Sequence, residues 1–593
     1  MANRSHSKLH GSGFVLRQKF SQFICHNTCD VSIRVKSAGC GEAVVWLAFG
    51  PTLRISGILL IAATIFTSSA AYAQADRSLG PEGIPGTLIL VGGGEIPDVT
   101  ADFLKKNSGG ASILILSDAS SEPRGAAESA RQWLTGHGLS NVVSVDQGLP
   151  APEKFAETIR AIEKAGVVWI CGGQQSRLAE AYAQSGVENA LLAMLQRGGT
   201  IAGTSAGAAI MSKVMIASGK DQPEISNGWD LLPDCIVDQH FSERNRLNRS
   251  RIAVDQNPGC FGLGIDESTV VIVSGRNLQV TGKGKATVLL AKCNYRDAES
   301  YEIVAPGVAD LTQLRRSALQ RKSGTNPGEP VHGIPELKSG SLVIVGGGSM
   351  PKDVVDRFVE LAGGRDARIV VLPTAVARSE TTDEVPGFLK RAEVANITVL
   401  TQRYGEVETE VFQSALKSAT GVWFGGGRQW NFVDAYEGTT AIELFHDVLR
   451  RGGVIGGSSA GATIQGEFLI RGHPRGNSVM MAEGYERGFA FLPGVAIDQH
   501  FAQRGRQPDL LPVIQRHPKL LGIGIDEGTA VVVTGSTADV IGQHSAHFVS
   551  VQHLKSLPPE TALPTDVAGA AALYTTVNTG SSIELGMLVA DQP

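Results

Sequence analysis

A serine becomes a nucleophile when a turn holds its hydroxyl clear of the chain and a nearby base takes its proton. Gly203-Thr-Ser-Ala-Gly207 offers such a turn. Ser205 sits between two glycines, after the strand-like run Gly199-Thr-Ile-Ala and before the helix-like run Ala208-Ala-Ile-Met. That is the strand–turn–helix setting of a nucleophile elbow, in which the Ala206 N–H at a helix start faces an oxyanion. A Gly/Ser turn that merely caps a helix would look the same. What weighs for catalysis is recurrence: Gly457-Ser-Ser-Ala-Gly461 repeats the turn around Ser459. Two histidines, His240 and His500, stand at matched positions, in Asp238-Gln-His-Phe241 and Asp498-Gln-His-Phe501, and are the candidate bases. The orienting acid is less determined. Asp238 shares a strand face with His240 but is too close along the backbone to meet its imidazole well. Asp266 and Glu267, like Asp526 and Glu527, end an apolar strand and are better placed. The chain order is then Ser, His, acid, whereas α/β-hydrolases run Ser, acid, His.

The elements that must position these groups occur twice. Thr87-Leu-Ile-Leu-Val-Gly-Gly-Gly94 recurs as Ser341-Leu-Val-Ile-Val-Gly-Gly-Gly348, and Val168-Trp-Ile-Cys-Gly-Gly-Gln-Gln175 as Val422-Trp-Phe-Gly-Gly-Gly-Arg-Gln429. With the serine turn, these blocks share an offset of 254, whereas the histidine block and Gly262-Leu-Gly-Ile-Asp-Glu267 (again at Gly522–Glu527) are offset by 260. One insertion of six residues therefore separates the two sets, and the chain is a tandem duplication. Within a copy, apolar runs end in glycine or a turn (Leu88–Val91, Ile113–Leu116, Val167–Ile170, Val270–Val273) and alternate with helical stretches such as Val187 to Arg197. This pattern predicts two tandem three-layer α/β/α domains with largely parallel sheets, their ligands at the carboxyl ends of the strands. The expected boundaries are a leader over 1–75, domains over 76–320 and 336–593, and a linker over 321–335 that contains Ser323-Gly-Thr-Asn-Pro-Gly-Glu-Pro330.

Composition sets the outer limits. A net charge of −5 over 593 residues, with no basic stripe, argues against a nucleic-acid partner. Arg54, the apolar run Ile55–Phe66 and Ala71-Tyr72-Ala73 before Gln74 have the pattern of a secretory signal, too short to span a membrane comfortably. Cleavage would leave a periplasmic or secreted protein with no stable membrane span. The first 50 residues are assigned no fold. Cys171, Cys235, Cys260 and Cys293 follow no metal-like spacing; they suit a disulfide or buried thiols equally.

Taken together, the blocks Gly-Gly-x-Gln, Gly-Thr-Ser-Ala-Gly-Ala, Asp-Gln-His-Phe-x-x-Arg-x-Arg-x-x-Arg and Gly-x-Gly-Ile-Asp-Glu resemble peptidase family S51, which holds cyanophycinases and the aspartyl dipeptidases called peptidase E. The resemblance is most specific to cyanophycinases and covers nearly all of both copies. It implies a fold similar to the class I glutamine amidotransferases. It also implies Ser205 as nucleophile, His240 as base and, by analogy with the dipeptidase branch, Glu267 as acid. Gly173 and Ala206 become the candidate oxyanion donors. Gln175, Asp238 and Gln239 match residues near the substrate, and Arg244, Arg246 and Arg249 match the arginine motif. Guanidinium forks suit the free carboxylates of β-Asp-Arg units, although the same arginines could line a solvated helix face. The second copy keeps Gln429, Ser459, Asp498, Gln499, His500, Arg504, Arg506, Asp526 and Glu527, but Asp509 replaces the third arginine. A carboxylate there should repel the group that the arginine would bind, and Pro508 should break the helix.

The reading that follows is a serine exopeptidase acting on cyanophycin through an acyl-enzyme, with no metal or organic cofactor. Its substrate partner would be a peptide or cyanophycin-like polymer. An aspartyl dipeptidase or other isopeptidase keeps the chemistry and changes the substrate; a non-catalytic binding protein on the same scaffold would keep neither. By analogy with dimers in the family, the two copies are expected to form an intrachain pseudo-two-fold pair.

Overall fold

The computed structural model describes residues 29–37, 40–49, 79–330, 334–555 and 562–589. Strands Cys29–Ser37 and Cys40–Phe49 form an antiparallel hairpin in the stretch to which the sequence reading assigned no fold. The proposed signal segment, Ile55 to Ala73, lies outside the described residues.

From Ser78 onward the chain forms one compact unit containing both copies. The main sheet of the first copy has eight strands. Five are parallel, in the order Val142–Ser144, Ser112–Leu116, Ala165–Ile170, Thr200–Thr204, Ile84–Val91. Three antiparallel strands, Thr269–Gly275, Asn277–Gly282 and Gly307–Asp310, extend it beyond Ile84–Val91. The apolar run Val270–Val273, read as part of a parallel sheet, is thus antiparallel to its neighbour. Continuous apolarity reports burial of both faces, not strand direction.

Alternate residues of each central strand feed opposite cores. Ile89, Val91, Val167 and Trp169 face a layer containing Ala101, Leu104 and Leu134 of helices Asp98–Ser108 and Pro123–Gly136. Leu88, Leu90, Val168 and Ile170 face Leu191, Met194 and Leu195 of helix Val187–Gln196. A second sheet joins this latter core. Its strands Cys235–Gln239 and Phe261–Ile265 are parallel, and Lys285–Leu290 and Glu299–Val304 continue it antiparallel. The second copy repeats the eight-stranded sheet strand for strand, and its smaller sheet gains Gly466–Phe468 at one edge. Among the described residues no helix is long and apolar enough to cross a membrane, and Cys171, Cys235, Cys260 and Cys293 are free thiols.

Helix Leu311–Ser323 runs past the expected domain boundary and stops at Gly324, whose φ of 66° makes a left-handed C-cap. This helix and its surroundings dock the first copy on the second. Arg321 forks onto Glu483 at 2.6 and 2.9 Å, and Arg296 meets the fully buried Glu486 at 2.5 and 2.6 Å. Arg276 binds Asp434 and the Tyr485 hydroxyl and lies 4.4 Å over the Trp430 ring. A two-fold pair would repeat each contact with the copies exchanged. It does not: Ser536 corresponds to Arg276, since its carbonyl accepts from Leu585 N–H as that of Arg276 does from Leu311 N–H, yet Ser536 bonds Glu584 in its own copy. The Arg276 contact therefore has no counterpart with the copies exchanged.

Glu486→Ala leaves the half-buried Arg296 short of a partner. It should destabilise the protein by about 3 kcal/mol, read as a lower first transition in thermal unfolding; an unchanged Tm would contradict this account.

Candidate active site

Ser205 follows strand Thr200–Thr204 at the carboxyl edge of the main sheet and precedes the short helix Ala206–Ala209. Its backbone is in the disfavoured positive-φ region, at φ 52° and ψ −112°. The flanking glycines are required by space. A Cβ on Gly203 would lie 2.3 Å from Gly207 O, and one on Gly207 would lie 2.3 Å from Ile170 O. Ser459 repeats the geometry at φ 57° and ψ −112°.

The candidate base and acid come from the other sheet. His240 follows strand Cys235–Gln239 and Glu267 follows Phe261–Ile265, the parallel pair of that sheet. Ser205 Oγ is 2.9 Å from His240 Nε2, and His240 Nδ1 is 2.5 Å from Glu267 Oε1. The second copy gives 2.9 Å for Ser459–His500 and 2.6 Å for His500–Glu527. With Nδ1–H donated to the carboxylate, Nε2 is left to accept the serine proton. Asp266 does not compete, because it accepts the Ser242 N–H; Asp526 accepts that of Ala502. Burial lowers the His240 imidazole below its ordinary value of 6.5, against the raising effect of its bond to Glu267. His500 shifts the same way for the same cause.

Gly92, Gly93 and Gly94, read from the sequence only as a strand-end block, prove to hold the relay. Gly93 has φ 105°, and a Cβ on it would lie 2.2 Å from His240 Cε1; one on Gly94 would lie 3.0 Å from Glu267. Gly92 O accepts the His240 N–H at 2.7 Å, and Gly93 O accepts that of Ser268. Gly346, Gly347 and Gly348 repeat this arrangement around His500 and Glu527. Gly264 explains why the last block travels with the histidine block: its missing Cβ makes room for the Phe241 ring. The signal for all of these was their repetition.

Gly173, at φ 147°, and Ala206 flank the nucleophile. Among the described residues the neighbouring Gln174 and Ser205 N–H groups are bound by Ala119 O and Val91 O, while those of Gly173 and Ala206 have no such backbone acceptor. Both remain placed to serve an oxyanion. A cavity of about 870 Å³ opens beside Ser205, lined by Gly173, Gln175, Gln239, Arg244, Arg246 and Arg249, with Lys220 at the tip of hairpin Val214–Asn227. The Gln175 amide donates to Ile216 O at 2.6 Å and Gln429 to Ile470 O at 2.9 Å, which leaves each amide oxygen for a ligand.

The arginines divide by role. Arg244 is exposed at the cavity. Arg246 donates to Asp238 and to Gln239 Oε1 at 2.8 Å. Arg249 is buried and forks onto Asp238, which also accepts the Ser250 hydroxyl. Asp238 is thus a buried anchor for two guanidinium groups rather than a carboxylate offered to substrate. In the second copy Arg506 repeats the bonds of Arg246 to Asp498 and Gln499, and Arg504 follows Arg244 in sequence. Two expectations about this copy fail. Pro508 does not break helix Gln507–Arg516; it stands in the first turn, where no amide hydrogen is needed. Asp509 does not face an empty arginine site, because it pairs with Arg471 at 2.5 Å.

Residues 88–281 and 342–541 each match peptidase family S51. A cyanophycinase of Geminocystis herdmanii is 32% identical over 221 residues, which are 36% of this chain and 81% of that protein. A cyanophycinase of Trichormus variabilis is 32% identical over 224 residues, 35% of this chain and 75% of the relative. Among solved structures, a peptidase from an acI-B1 actinobacterium aligns over 98% of its length and 39% of this chain, at 20% identity and a TM-score of 0.31.

With Ser459→Ala isolating the first site, kcat/KM should rise with pH through one ionisation below 6.5, because the neutral imidazole is the base and burial depresses its pKa. In that background Glu267→Gln should lower kcat/KM by about 10²–10⁴-fold. An acid limb at or above 6.5, or an unaffected rate in Glu267→Gln, would contradict the assignment.

Proposed function

Because the chain belongs to peptidase family S51, and is a serine-type peptidase by that membership, we propose that it hydrolyses cyanophycin, releasing β-Asp-Arg dipeptides. The observation that carries this reading is the cationic cavity beside Ser205, where Lys220, Arg244 and Arg246 surround the space that a substrate would fill. A polyaspartate chain bearing β-linked arginines presents a free carboxylate on every unit, and guanidinium groups bind carboxylates in a planar fork.

In the proposed reaction His240 takes the Ser205 proton as Oγ attacks the scissile carbonyl. The Gly173 and Ala206 N–H groups stabilise the oxyanion. His240 then protonates the leaving amine, and water activated by the same imidazole hydrolyses the ester. Similarity to the cyanophycinases supports the substrate class. The Ile55–Ala73 segment supports export to the periplasm or beyond, where an external polymer would be cut to importable dipeptides; exported protein should begin at Gln74.

Purified wild type, Ser205→Ala, Ser459→Ala and the double variant should be incubated with cyanophycin and with Asp-X dipeptides. Dipeptide release from cyanophycin by wild type, lost in the double variant, is the expected result. Cleavage of Asp-X dipeptides alone would favour the aspartyl dipeptidase reading, and no release from either substrate the binding-protein reading.

A further inference from the structure

The structure places the six-residue insertion between the copies' repeated blocks. Ile216 and Ile470 correspond, since each carbonyl holds the site glutamine. Trp229 and Phe489 also correspond, each N–H bonding the equivalent Ile210 and Ile464 carbonyls. The insertion therefore lies in residues 471–488. In the first copy this segment completes the hairpin over the cavity and begins with Ala217. In the second it begins with Arg471 and, further along, carries Glu483 and Glu486 to the first copy.

Arg471 is buried, and its φ of 55° is a conformation that a long side chain rarely adopts. Its Nε and Nη2 donate to Asp498 at 3.0 and 2.9 Å, and its Nη1 donates to Asn477 O at 2.9 Å. Arg249 makes the same set in the first copy: a fork onto Asp238 and a bond from Nη1 to Gly219 O at 2.6 Å. The two guanidinium groups do one job but arrive from opposite elements, one from the helix and one from the loop. With the position filled from the loop, an arginine at 509 would crowd a second cation against Arg471; Asp509 instead pairs with it.

We propose that Arg471 is the positioning residue of the second site. It replaces Arg249 by holding Asp498, and thereby the strand end that presents Gln499 and His500, so that Ser459 is a competent nucleophile. The apparent loss of the third arginine is then a compensated exchange. This inference rests on the serine-peptidase reading of both copies but not on the substrate.

The test uses the full chain carrying Ser205→Ala and follows phosphonylation of Ser459 by a fluorophosphonate probe, in which Oγ displaces fluoride from phosphorus, using intact mass. Labelling of Ser205 in Ser459→Ala protein checks the underlying serine-hydrolase reading independently. Arg471→Ala should slow Ser459 labelling by about 10-fold or more. Adding Asp509→Arg recreates the first copy's combination of Ala217 and Arg249 and should recover most of the rate. A merely structural defect would not be repaired by moving the guanidinium to another element. No labelling of Ser459 beside normal labelling of Ser205, an unchanged rate in Arg471→Ala, or no recovery in the double exchange would each overturn the proposal.

Discussion

The His240 imidazole lies against a residue that cannot carry a side chain, and the rest of each site depends on that contact. Gly93 leaves room for the ring, Gly92 O fixes the His240 backbone, and Gly94 lies beside the carboxylate of Glu267. One three-residue loop leaving the main sheet therefore sets two strand ends of the other sheet against the serine. Any Cβ in the loop would displace the base or the acid. The positive φ of Ser205 and of His240 is strain that this dense packing sustains. The arrangement recurs at Gly347, His500 and Ser459, so the constraint acts twice in one chain.

Behind the relay lies a buried charge. Asp238 and Asp498 are withdrawn from solvent, and each is neutralised by two guanidinium groups. A lone carboxylate there would be costly, and paired it becomes a rigid peg for the segment leading to the histidine. The first copy sets two arginines against one acid, whereas the second adds Asp509 and balances two against two. The buried cluster of the first copy is therefore left with a net positive charge, whereas that of the second is balanced. The same loop that brings Arg471 into the second site carries Glu483 and Glu486 onto the first copy, so the contact between the copies and the altered site are parts of one insertion.

Much of this was legible in the residues. The repeated blocks identified Ser205 with Ser459 and His240 with His500, and the apolar runs located the central strands and helix Val187–Gln196. The change of offset from 254 to 260 announced the insertion. Less legible were the groups whose importance lies in what they lack or in where they are buried. Gly93 reads as a turn glycine until the ring beside it is seen. Arg249 reads as a substrate ligand until it is found forked onto Asp238.

Sequence alone determined the duplication, the layered α/β class and which serine and histidine are the candidate nucleophile and base, because each leaves a local and repeated mark: a glycine-flanked serine, a matched histidine, a run of apolar residues. Only the tertiary structure decided which of Asp266 and Glu267 meets the imidazole, which arginines are buried, and which side chains join the two copies. Adjacent acids are indistinguishable along a chain, but at a strand end they point different ways; Asp266 meets the Ser242 amide and Glu267 meets the imidazole. The missing third arginine shows the same limit. Position 509 was read against position 249, yet the charge it lacked is supplied by Arg471, 38 residues earlier in the chain, because the fold conserves where a guanidinium sits rather than which element bears it.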